Sequence, residues 1–124
     1  MRDALLNFGA IAPATKATRA VSANKINFGG VHKPGNVENA KACFRLGDDI
    51  ASGDTVQMEV LGCSTENGTY GVCSCSAVIS SGKEGDIIEV PLPIDAPAYL
   101  EAGVMPNSSG TFTAIDVTAW IEFR

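Results

Sequence analysis

From residue 23 to the C-terminus, short runs that alternate apolar and polar residues recur between clusters of Gly, Pro, Asn, Asp and Ser. A strand turns successive side chains to opposite faces, so each run can bury one face only, and many such runs at close spacing predict an all-β, antiparallel sandwich or barrel. In "KACFRLG", Ala42, Phe44 and Leu46 share a face against Lys41, Cys43 and Arg45. In "DTVQMEVLG", Val56, Met58 and Val60 point inward, while "GDIIEVPLP" supplies Ile88, Val90 and Leu92. The prolines of that run cannot donate to a ladder and mark an edge strand or a strand end. "APAYLEAGVMP" sets Leu100, Ala102 and Val104 opposite Tyr99 and Glu101. The last run alternates longest, with Ile115, Val117, Ala119, Ile121 and Phe123 on one side and Asp116, Thr118, Trp120 and Glu122 on the other. About seven strands and no long helix follow.

Residues 1–22 have a different texture. They are rich in Ala and Thr, contain Pro13 and show neither sustained helical nor strand periodicity. We read them as an extended N-terminal arm on a β-sandwich domain spanning 23–124.

The four cysteines raise the question of chemistry. Asn67-Gly68 is a strong two-residue hairpin signal, because a type I′ turn needs positive φ at both positions. A loop of those two residues sets Val60 opposite Cys75, Met58 opposite Ala77 and Val56 opposite Ile79. Cys73 and Cys75 then line the core, and Cys63, opposite Val72, faces away. A structural zinc ion needs four converging ligands. Here Cys63 is on the wrong face, Cys43 is on another strand and His32 is the single histidine. A disulfide between Cys73 and Cys75 would strain a strand. Free thiols, no metal and no cofactor are the expectation.

Catalytic residues are not expected either. His32 lies in a polar loop without a nucleophile elbow. Asp48, Asp49 and Asp54 in "GDDIASGD" miss the calcium-loop spacing and read as a turn. The net charge of −5 and the absence of any basic run argue against nucleic acid or an anionic membrane as partner. No stretch approaches the roughly 18 apolar residues of a membrane span. The N-terminus lacks the layout of a signal peptide, so synthesis in a reducing cytoplasm is expected.

The candidate interface residues are apolar groups set among polar ones. Trp120 shares its side with Asp116, Thr118 and Glu122, Tyr99 is a weaker case, and the arm offers Leu5, Leu6, Phe8 and Ile11. Exposed aromatic anchors of this kind dominate many protein interfaces.

Several segments together resemble a known family. "ATRAVSANKINFGG", with Ser22, Asn24, Ile26 and Gly29, is similar to the opening strand of the jelly-roll cement (capsid-stapling or decoration) proteins of short-tailed double-stranded DNA bacteriophages. "SGDTVQMEVLGCSTENG" resembles their central strand and hairpin, and "PLPIDAPAYLEAGV" with "GTFTAIDVTAWIEF" their closing strands. The resemblance implies a jelly roll and a non-enzymatic virion protein. Such a protein is made in the host cytoplasm, binds the outer surface of the capsid and bridges neighbouring major capsid proteins. A homo-oligomer, dimer before trimer, is implied with it. The alternative reading is a carbohydrate-binding β-sandwich module with Trp120, Tyr99 or Tyr70 as the sugar platform.

Overall fold

The computed structural model of the chain describes residues 7–27, 40–92, 97–106 and 111–123. The described residues form nine strands and no helix. These are β1 (Asn7–Ile11), β2 (Ala20–Val21), β3 (Ile26–Asn27), β4 (Ala40–Leu46), β5 (Val56–Cys63), β6 (Gly71–Cys75), β7 (Ile87–Pro91), β8 (Tyr99–Pro106) and β9 (Val117–Phe123).

Sheet A has the order β1-β9-β4-β7 and sheet B the order β2-β8-β5-β6, with β3 continuing along β8 beside β2. Every pairing is antiparallel. Counting β2 and β3 as two halves of one strand, the chain places eight strands in two interleaved four-stranded sheets. That is the order of a jelly roll. Between the two halves the hydroxyl of Ser22 replaces a rung of the ladder, accepting from Ala102 N at 3.1 Å and donating to Asn24 O at 2.8 Å.

The core lies where the inner faces meet. Phe44, Val117, Ala119 and Val90 from sheet A pack in one cluster with Met58, Val60, Leu100 and Val104 from sheet B. These are the inward positions that alternation predicts, so the parity of β4, β5, β7, β8 and β9 is as read from the sequence. β7, carrying Pro91, is an edge strand, also as expected. The 28–39 loop, with His32, lies outside the described residues.

Two expectations are corrected. First, the chain does not divide into arm and sandwich at residue 22. β1 pairs along β9, and β2 pairs with β8. The backbone of Ala23 and Asn24 donates to Ala10 and Phe8, so the far side of β1 is bonded as well. Phe8 and Ile11, three residues apart, cannot share a face of a regular strand. The register slips at Gly9, whose φ of 88° sits in the left-handed region open to glycine. This bulge turns both side chains into the core and leaves them buried.

Second, the β5–β6 register follows a wider loop. Neither Asn67 nor Gly68 takes a positive φ, so the type I′ turn does not form. The tight turn instead runs over 65–68, closed by Gly68 N donating to Thr65 O at 3.4 Å. Glu59 faces Cys75, Val60 faces Ser74 and Leu61 faces Val72, which leaves Cys73 as the extra residue of a bulge. Beyond Cys75 the expected pairing returns at Val56 and Ile79.

Candidate binding face

A sandwich presents two outer faces, and the outward residues of each sheet are set by the parity of its strands. On sheet A the outward row through the middle is Asn7, Trp120, Cys43 and Glu89, read across β1, β9, β4 and β7. On sheet B the rows are Asn27, Tyr99 and Cys63, then Glu101, Leu61 and Val72, then Val21, Gly103, Glu59 and Cys75.

The sheet A face is not open at its centre. Trp120 and Cys43 point away from the sandwich core as predicted, yet both are buried. Trp120 is therefore corrected as an interface anchor, because outward orientation did not bring exposure. The Cys43 thiol reaches Glu122 Oε2 at 3.5 Å. Burial, then the neighbouring Glu122 charge, pushes this thiol up to about 12. The Glu122 carboxyl is held below its ordinary value by hydrogen bonds from Trp120 and then Cys43. Lys41 binds Glu89 at 2.6 Å beside this cluster, which raises the lysine's pKa.

The sheet B face is polar and more open. Gly103 makes room on it, since a Cβ there would lie 2.8 Å from the Leu61 Cδ1 atom and 3.4 Å from Arg19 Cδ. Arg19 bridges both carboxylate oxygens of the buried Glu59, at 2.5 and 3.4 Å, and this hydrogen bonding raises the arginine's pKa. Towards the other end of the face, Tyr70 and Tyr99 are half-buried. Tyr70 donates to Glu66 O at 2.8 Å, and the Lys25 ammonium lies 5.0 Å from the centre of its ring. Burial raises the Tyr70 hydroxyl, with Cys63, Glu101, Glu66 and Tyr99 adding to the effect. Burial likewise raises the Glu101 carboxyl, partly offset by Lys25.

The cysteines part company. Cys75 is exposed and Cys73 half-buried, which corrects both as core residues. Cys73 does keep the expected neighbour, its Sγ lying 2.9 Å from where a Gly62 Cβ would stand. Cys63 faces outward as predicted. Hydrogen bonds from the Thr65 backbone first, and the Thr65 hydroxyl next, lower its thiol.

Of the other sequence candidates, Leu5 and Leu6 precede β1 and lie outside the described residues. The three acids of the calcium question are fastened to loops. Asp48 accepts from Asp116 N, Asp49 from Glu84 N and Asp54 from Thr113 N, each at 2.8 to 2.9 Å. Among the described residues no three His, Cys, Asp or Glu side chains gather as a metal site. No helix among them is long and apolar enough to cross a membrane. Glu101, an acid flanked by the inward Leu100 and Ala102, was not among the candidates read from the sequence.

No protein-family model matches the chain, and no curated protein matches it. Among solved structures, the chain is similar to PirA at 9% identity and a TM-score of 0.49, over 91% of this chain and 93% of that one. It is also similar to the CBM22-1 and GH10 modules of endo-1,4-β-D-xylanase 10B from Clostridium thermocellum, solved with xylohexaose. That likeness has 15% identity and a TM-score of 0.41, and covers 98% of this chain but 28% of the xylanase chain. A likeness of this degree assigns no activity, and the antiparallel β-sandwich stands on the chain's own strand order.

Proposed function

We propose that the chain is a non-enzymatic capsid-stapling protein, bound to the outside of an icosahedral phage shell and joining neighbouring major capsid proteins. The observation that carries this reading is the strand order. A complete jelly roll, from β1 to β9, is the architecture that the sequence resemblance implies for such a protein. The loop acids bonded to backbone amides fit a passive scaffold better than a reaction centre.

The contact residues of the proposal differ from those first expected. Phe8, Ile11 and Trp120 are buried and leave it. Leu5 and Leu6 stay, directly before β1. The exposed Val72, Val78 and Ile87 join them, on or between the strands β6 and β7 that form the free edges of the two sheets. Many weak copies on one lattice add up to strong retention, and a homo-oligomer would increase that effect.

The test is co-sedimentation with capsids assembled from the major capsid protein of the genome that encodes this chain. Saturable binding that raises the temperature of DNA release is expected. Removal of residues 1–6 and the triple change Val72→Asp, Val78→Asp and Ile87→Asp should each weaken it. A folded wild-type protein that stays in the supernatant at all concentrations would sink the proposal.

A further inference from the structure

We propose that the outer face of sheet B carries a saccharide-binding site, in which Glu101 accepts hydrogen bonds from sugar hydroxyls and Tyr99 offers its ring to the C–H face of the sugar. This inference does not rest on the capsid reading, although Val72 of that contact set lies in the same row as Glu101 and Leu61.

The argument starts from Glu101. It stands in the middle of β8, its neighbours Leu100 and Ala102 in the core, and it is 8% exposed on the outer side. Among the described residues it makes no hydrogen bond and no ion pair. The contrast with Glu59, two rungs along the same face, is direct. Glu59 is equally buried and is gripped at both oxygens by Arg19. The Glu101 oxygens reach solvent at this face and no protein donor occupies them, so they are open to a ligand that brings O–H groups.

Lys25 is the nearby cation, but its ammonium is engaged over the Tyr70 ring at 5.0 Å and with Glu66 O at 3.4 Å. It supplies charge balance without filling the carboxylate's bonding positions. With Arg19 matched to Glu59 and Lys25 near Glu101, the face has no net demand for an ion of either sign. An uncharged ligand that is rich in hydroxyl donors and has an apolar side fits that balance. The apolar side meets Tyr99, opposite Cys63 and in the row next to Glu101 and Leu61. The bond formed is charge-assisted, carboxylate to hydroxyl, and so among the stronger neutral-ligand contacts. No covalent step is involved.

The experiment uses the full chain, labelled with nitrogen-15, titrated with three neutral oligosaccharides: cellohexaose, maltohexaose and chitohexaose. Saturable shifts of the Tyr99, Glu101 and Leu61 amides with at least one of them are expected. Glu101→Ala should lower that affinity by roughly tenfold or more, the worth of one charge-assisted bond, and Tyr99→Ala should lower it as well. Arg45→Gln, on β4 of the opposite sheet, should leave it unchanged. The mapping on wild-type protein needs no variant, so a poorly folded variant does not rescue the proposal. No saturable shift with any of the three, shifts confined to other faces, or binding only of an arginine-rich control peptide would each overturn it.

Discussion

The outer faces of the two sheets begin from the same rule and end differently. Both β4 and β5 alternate, and each has an outward-facing cysteine. On one face Glu122 of β9 lies within reach of the Cys43 thiol, and on the other Glu59 of β5 is held by Arg19. On sheet A the outward Cys43 and Trp120 are sealed, and the thiol is pushed up to about 12 by burial and by Glu122. On sheet B the outward Cys63 meets backbone amide hydrogens that lower its thiol, beside two half-buried tyrosines. Parity decides which way a side chain points, and the cover above it decides what it can do. We read the sheet A centre as structural and the sheet B face as the available one.

The largest effect that separates them is on stability. Trp120→Ala should cost about 3–5 kcal/mol, the usual penalty for emptying a buried aromatic site. Tyr99→Ala should cost clearly less in the same urea titration. Equal losses would erase the distinction between the faces. Next comes the ion pair of sheet B. Arg19→Met leaves Glu59 buried without its partner and should cost about 1 kcal/mol, reduced from the fully buried case because the arginine is partly exposed.

The smallest effect has the opposite sign. Burial raises the Glu101 pKa in the folded state, so its contribution to stability is present below the unfolded pKa, near 4.5, and is lost as pH rises through the folded value. Glu101→Gln should therefore stabilise the protein at pH 7 and flatten its stability profile above that range. Thermal melts of both proteins from pH 4 to 8 check this. A variant less stable than wild type at pH 7 would mean that Glu101 has a partner.

Much of the fold was legible because it depends on parity alone. Met58, Val60, Leu100, Ala102 and Val104 are inward by alternation and buried in fact. In the turn over 83–86, Gly85 sits at φ 94° and Asp86 accepts from Lys83 N at 2.9 Å. What alternation cannot register is a bulge. Gly9 changes the phase of β1, so a strand with Phe8 and Ile11 both inward looked like an unpatterned arm. Cys73 does the same in β6, and a turn over 65–68 in place of Asn67-Gly68 shifts the pairing further. Nor does parity report cover, which is why Trp120 looked like an anchor. The site was less legible than the fold for the same reason. Tyr99 was visible as an outward aromatic, whereas the isolation of Glu101 emerges only when Arg19, Lys25 and Glu66 find their places.

Native thiol labelling followed by mass spectrometry tests the contrast between the faces most directly. At pH 8 and in the absence of denaturant, Cys63 and the exposed Cys75 should react rapidly with iodoacetamide, and the Cys63 rate should level off at a lower pH than for an ordinary thiol. Cys43 should react only as fast as the protein unfolds, with its rate rising in step with added urea. Labelling of native Cys43 at a rate comparable to Cys63 would contradict the sealed sheet A face and the account built on it.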